Sequence, residues 1–311
     1  MILRIHIIGC SGSGKTYLAS ELSEKYNIRY KIIYSVLYAF LIIVTAGCGV
    51  ADQSDTSDSN NPTDTDITSE VETSGSMLNF NINGVKFSMV FVEAGTFVMG
   101  SDNTDVQFNE SPAHEVTLTK DYYMGETEVT EALWNVVMED GGGSTTLPKT
   151  SVTWNQAHVF LDRLNEIAHK DELIKPDQNF ILPSEAQWEF AAKGGNLSKG
   201  YLYSGSNDID EVAVTRENSG SDSPGNVGTK KPNELGLYDM SGNAYEWVDD
   251  YGGDYSPEAQ TDPQNTSGQN YVKRGGSNYH YFGSEPYLFT TTGRYFYGST
   301  DWTIGFRIAL Q

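Results

Sequence analysis

The chain predicts an α+β domain with a small antiparallel sheet and long ordered loops, and three observations carry that prediction. Residues 77 to about 130 run in short β-like stretches broken by glycine. Two stretches with helical spacing follow, and a third opens on a capping box. After that the sequence reads mostly as loop, up to RGGSNYHYFG and the closing GFRIAL.

The elements justify themselves in order. FSMVFVEAGTFVMGS (87–101) alternates apolar and polar residues and turns on Gly95 and Gly100. HEVTLTKDYYMGETEVT (114–130) reads as paired strands leading into a helix, EALWNVVMED. Thr130 is placed to cap that helix, with Leu133, Trp134 and Val137 on its buried face. Beyond the gap GGGSTT, residues Ala157, Phe160, Leu161, Leu164 and Ile167 mark a second amphipathic helix. Ser184 and Gln187 fit a capping box at the start of SEAQWEF. In PNELGLYDMSGNAYEW (232–247), Gly236 and Gly242 permit positive φ or close approach, and Leu235, Leu237 and Met240 bury the turn. Asn243 and Glu246 supply oxygens beside backbone expected to be irregular.

The chain has 311 residues, 38% of them hydrophobic, which is ample for one large core with additional segments. Its 42 acidic and 20 basic residues give a net charge of −22, which argues against a nucleic-acid partner. The cysteines are Cys10 and Cys48, so everything from residue 49 onward lacks a disulfide, a thiolate metal site and a cysteine nucleophile.

The first 76 residues divide by composition. Residues 1–30 form a P-loop-like fragment, not a complete domain. Gly9, Gly14, Lys15 and Thr16 match G-x-x-x-x-G-K-[ST] after an apolar run, as in small nucleoside-monophosphate-kinase-type proteins, and make ATP one candidate ligand. Residues 31–48 read as a lipoprotein signal: Lys25, Arg29 and Lys31 precede sixteen nearly continuous apolar residues, 32–47, that end at Cys48. The expectation is lipidation of Cys48, with the membrane reached through that anchor. Residues 49–76 are rich in Asp, Ser and Thr and read as a disordered acidic linker to a domain at 77–311.

That domain resembles the formylglycine-generating enzyme, or sulfatase-modifying factor, family. The matching motifs are FVEAGTFVMGS (91–101), YMGETEVT (123–130), ILPSEAQWEFAAKGG (181–195), KKPNELGLYDMSGNAYEW (230–247), VKRGGSN (272–278) and GFRIAL (305–310). The resemblance implies an elaborated C-type-lectin-like fold. Oxidases of the family bind copper through two cysteines between the RGGS and GFR motifs. Here Pro286 and Thr291 stand at those positions. Neither supplies the soft thiolate that Cu(I) requires, so no copper and no formylglycine-generating activity are expected.

The resemblance further implies a structural Ca²⁺ at Gly242, Asn243, Ala244 and Glu246, whose carbonyls and carboxylate are hard oxygen donors. Arg274, Arg294 and Arg307 match family arginines and are expected to lock loops. Aromatics crowd the stretch that forms the family's substrate groove. His280, Tyr281, Tyr295 and Trp302 are the candidate lining, suited to a peptide or glycan. Together these features imply a lipid-anchored protein of the bacterial cell envelope, at its outer membrane or surface, with a non-catalytic binding or assembly role toward an envelope protein or glycan. A metal-dependent oxidoreductase with a non-cysteine site near His280 is the alternative, and ATP binding at the P-loop is a second.

Overall fold

Local turn chemistry starts the domain. Strands β1 (Glu70–Ser74), β2 (Met77–Ile82) and β3 (Val85–Val92) form an antiparallel meander. Its second turn holds Asn83 and Gly84 at φ of 49° and 88°, the left-handed region that these two residue types tolerate best. Strands β4 (Gly95–Met99) and β5 (His114–Leu118) pair antiparallel, and β6 (Tyr122–Gly125) returns to lie beside β3. Helices α1 (Glu131–Met138) and α2 (Trp154–Lys170) follow, then β7 (Phe180–Ile181) and α3 (Glu185–Ala192). Two single-turn helices, α4 (Ile209–Val212) and α5 (Arg216–Ser219), precede β8 (Tyr245–Tyr251). Strands β9 (Gln260–Thr261), β10 (Tyr271–Arg274), β11 (Arg294–Tyr295), β12 (Ile304–Phe306) and β13 (Ala309–Leu310) complete it.

This computed structural model describes residues 69–103, 108–143, 145–280, 283–296 and 302–311. The P-loop-like Gly9, Gly14, Lys15 and Thr16, the proposed lipidation site Cys48, and the groove candidate Tyr281 lie outside the described residues.

The strands form three sheets: a six-stranded antiparallel one in the order β1-β2-β3-β6-β13-β7, a four-stranded one, β11-β10-β8-β12, and a three-stranded one, β4-β5-β9. The last strand thus sits inside the first sheet, closing the domain end to end. Helices α1 and α2 bury Trp134 and Phe160, stacked 5.5 Å apart, against Phe306 of β12. The expected caps are present: Thr130 accepts from the Leu133 N–H, and Ser184 and Gln187 bond reciprocally. All eight residues of α3 are buried, so it is a central helix and not an amphipathic surface one.

Three expectations are corrected. Gly95 does not turn the chain; the break falls at Glu93 and Ala94, and Gly95 opens β4. A Cβ there would stand 2.3 Å from Asn196 Oδ1 and 2.8 Å from Phe190 Cζ, so close approach is what requires glycine. Residues 70–74, assigned to the acidic linker, form β1, because backbone pairing with β2 and the Gly75 turn hold a strand whose side chains mostly face solvent. Glu246 lies in β8, between β10 and β12, and not in irregular backbone.

Candidate functional site

The 232–247 segment is anchored to α3 through Asn233. Its side-chain oxygen accepts the Leu235 and Leu237 N–H groups, at 3.0 and 3.1 Å, while its amide donates to the Ala191 carbonyl at 2.8 Å. Leu237 and Met240 are buried, as their sequence positions imply. Gly236 and Gly242 have φ of 97° and 86°. At Gly242 a Cβ would also stand 2.6 Å from the Val214 carbonyl oxygen, so glycine is required twice over.

At the end of this segment Glu246 is fully buried and faces Arg307. Arg307 donates Nε to Oε2 at 2.6 Å and Nη2 to Oε1 at 2.5 Å, and Trp188 Nε1 donates to Oε2 at 2.6 Å. Arg307 also reaches the Gly125 and Tyr238 carbonyls. Glu128 and Asp239 share this interior. Burial, reinforced by Asp239 and Glu246, pushes the Glu128 carboxyl well above the ordinary range, and burial likewise raises Asp239.

This geometry tests the expected calcium ligands. A carboxylate that takes three hydrogen bonds, two of them from a guanidinium, is a counter-ion for Arg307 and a poor cation ligand. Asn243 is engaged as well: Oδ1 accepts the Gly225 N–H at 2.9 Å, its carbonyl accepts the Asn278 N–H at 3.0 Å, and its amide donates to Glu128. Of the expected set, Glu246 therefore does not fit a divalent cation in this arrangement, and Asn243 is committed to protein partners. The physical reason is the arginine, which already supplies the positive charge.

A second buried network joins α3 to the region where the family's cysteines would stand. Arg274 pairs with Glu189 and donates to the Thr292 and Gly293 carbonyls, each at 2.7 Å. Burial raises the Glu189 carboxyl, but Lys193 and Arg274 outweigh it and hold the group below the ordinary range. Arg294 forms a two-pronged pair with Glu185, both bonds at 2.7 Å, and holds the Asn109 and Gly253 carbonyls. These arginines lock loops, as expected of them.

The segment they lock carries Pro286 and Thr291, the positions that the resemblance matches to the family's cysteines. Pro286 is exposed and begins a 3₁₀ turn, Pro286–Phe289, where its missing N–H costs nothing. Thr291 is buried; its N–H donates to the Leu202 carbonyl at 3.0 Å.

Beside this segment several aromatics gather. Tyr279 and Trp302 are 43% and 45% exposed and meet edge to face at 5.0 Å. The His280 ring lies 5.8 Å from Tyr279 and 5.5 Å from Tyr245, and its Nδ1 is 2.7 Å from Glu285. Lys273 places its ammonium over both Tyr245 and Tyr295, at 4.7 and 4.9 Å. Three sequence candidates, His280, Tyr295 and Trp302, are thus linked through intervening side chains. Tyr245, Tyr279 and Lys273 supply the links. Lys273 went unnoticed because its only sequence signal is its place before the RGGS motif. Among the described residues no group of three or more His, Cys, Asp or Glu is arranged to hold a metal ion, and His280 pairs with a carboxylate.

Comparison with known proteins agrees with this architecture. The sequence profile described as sulfatase-modifying factor enzyme 1-like domain matches residues 84–311. The chaperone protein LppX of Paenibacillus barcinonensis is 31% identical over 210 residues, covering 52% of this chain and 71% of that protein. The formylglycine-generating enzyme of Bos taurus is 27% identical over 252 residues, covering 61% of this chain and 65% of the enzyme. Among solved structures, Treponema denticola variable protein 1 superposes with a TM-score of 0.65 at 27% identity, covering 76% of this chain and 99% of that one.

Proposed function

The chain belongs to the sulfatase-modifying factor enzyme 1-like family, and from that premise we propose that it is a non-catalytic binding or assembly protein of the bacterial cell envelope. One observation carries the reading. The positions where the oxidases hold copper with thiolates are filled by Pro286 and Thr291, on a segment clamped by Arg274. A hydroxyl and a pyrrolidine ring offer no soft ligand, so the oxidase chemistry has no metal to act through.

What remains beside that segment is a surface suited to recognition. Tyr279 and Trp302 present large apolar area with few rotatable bonds, and His280 and Glu285 border it with polar atoms. An extended peptide or a sugar ring of an envelope component is the ligand class such a face suits. The similarity to a protein named as a chaperone supports a role in handling other chains. Attachment through a lipid on Cys48 is part of the same proposal, and fatty-acid labelling abolished in Cys48→Ser is its expected outcome.

Two measurements test the function. Incubation with a sulfatase peptide and copper leaves the peptide cysteine unmodified by mass spectrometry; an aldehyde product overturns the reading. Capture of an envelope component by the wild type, lost in Tyr279→Ala combined with Trp302→Ala, supports it, and undiminished capture by that variant removes the aromatic face from the proposal.

A further inference from the structure

Away from the aromatic face, three rings stack in a column where α2 meets the second sheet. Tyr251 ends β8, Tyr271 opens β10, and the two stand directly opposite each other in the antiparallel register. Their ring centroids are 4.2 Å apart with planes 29° from parallel, and their hydroxyls are hydrogen-bonded at 2.7 Å. Trp154, at the start of α2, covers the other face of Tyr271 at 4.0 Å and 4° from parallel. Its own ring is pinned where Nε1 donates to the Val248 carbonyl at 3.1 Å. At Tyr251 the chain packs so closely that a Cβ on Gly268 would stand 2.7 Å from the tyrosine Cβ. Both tyrosines are therefore held in place, and each remains partly open to solvent.

Stacking accounts for the packing. The bond between the hydroxyls adds a chemical consequence, because it brings together the ring carbons ortho to them. Those carbons carry much of the unpaired spin when a phenol loses an electron and a proton. Tyr245 and Tyr295 offer the contrast: their centroids are 6.5 Å apart, and the Lys273 ammonium lies over both rings. A cation held there opposes the removal of an electron. Tyr251 and Tyr271 have the shorter separation and the direct hydroxyl contact.

We propose that Tyr251 and Tyr271 form an oxidative cross-linking site, joined as dityrosine by a diffusible one-electron oxidant. Two equivalents of the oxidant each take one electron, and each phenol releases its hydroxyl proton to solvent, which leaves two phenoxyl radicals. The radicals combine at their ortho carbons. One carbon–carbon bond forms, the C–H bond on each of those carbons breaks, and these two protons return to the phenolic oxygens. The net loss from the protein is two electrons and two protons. The link closes residues 252–270 into a loop and ties β8 to β10 covalently, in a domain that has no cysteine with which to make a disulfide.

The test is irradiation of the full chain with ruthenium tris-bipyridyl and persulfate, followed by proteolysis and mass spectrometry. N-acetyltyrosinamide, coupled in the same buffer, shows that the oxidant is active. The expected product is a linked pair of peptides holding Tyr251 and Tyr271, lighter than their sum by two hydrogens and formed at a fractional rate independent of protein concentration. Tyr271→Phe keeps a ring on Trp154 but has no phenol to oxidise, so the linked pair is absent. Tyr201→Phe, remote from the column in sequence, leaves it in place. Three results would each overturn the proposal: no such pair while the free amide couples, a pair no more abundant than links made by the more exposed Tyr279, or the same pair in Tyr271→Phe.

Discussion

Arg307 and Glu246, 61 residues apart in the chain, form a two-pronged ion pair with no exposure of either side chain to solvent. The pair ties β8 to the residue that follows β12, and Trp188 of α3 closes it. Three parts of the chain meet on one carboxylate. Its loss is therefore a statement about the whole domain.

Removing one partner leaves the other charge buried and unpaired. Glu246→Ala is expected to destabilise the domain by about 3–5 kcal/mol. Glu246→Leu combined with Arg307→Met recovers much of that loss, because the stranded charge is gone. Denaturant unfolding of the three proteins measures both outcomes. A single variant within about 1 kcal/mol of wild type would refute the role given to the pair.

Calcium removal is the second test. Since Arg307 supplies the positive charge at Glu246, excess chelator is expected to leave Tm unchanged. An ion present at a hundred times its Kd would contribute about 2.7 kcal/mol, or a loss of about 5–10 °C on removal from a domain of this size. A fall of that size would restore the calcium site.

The pH dependence of stability isolates Asp250. Its folded pKa, about 7, lies above the ordinary aspartate value of 3.8, chiefly through burial. A group raised in this way binds its proton more tightly folded than unfolded. Its stabilising contribution is complete below about pH 4 and is lost as pH rises through 7. Asp250→Asn should therefore gain stability relative to wild type from about pH 4 to 7, by a few kcal/mol at most, and then level off. Unfolding curves at several pH values check this; a constant or falling difference contradicts it.

The exposed aromatics behave oppositely to the buried network. Tyr279→Ala and Trp302→Ala remove side chains that are more than two-fifths exposed. Each is expected to change unfolding free energy by less than about 1 kcal/mol. A larger loss would make them part of the core and weaken their assignment to a binding face.

Local signals in the sequence were good guides where the physics is local. Thr130 and Ser184 cap helices because their hydroxyls reach an N–H three residues on, a distance that the sequence itself displays. Gly242 was legible as a positive-φ position, though not the carbonyl that forbids a side chain there. Strand β8 was not legible. Its residues YEWVDDY are mostly buried, with neighbouring strands on both sides, so no alternation of apolar and polar residues announces it. Glu246 was misassigned for the same reason: nothing near it in sequence reveals Arg307.

The sequence by itself determined the family and the helices, and it places no cysteine anywhere beyond residue 48. Motif order and residue identity suffice for those conclusions. Only the tertiary structure decided which carboxylate answers which arginine: Glu246 to Arg307, Glu189 to Arg274, Glu185 to Arg294, across 61, 85 and 109 residues. An ion pair of that span is selected by where folding brings two charges out of water together, and no spacing along the chain encodes it. In the loop from Pro232 to Trp247, that selection turned an expected cation ligand into the partner of an arginine.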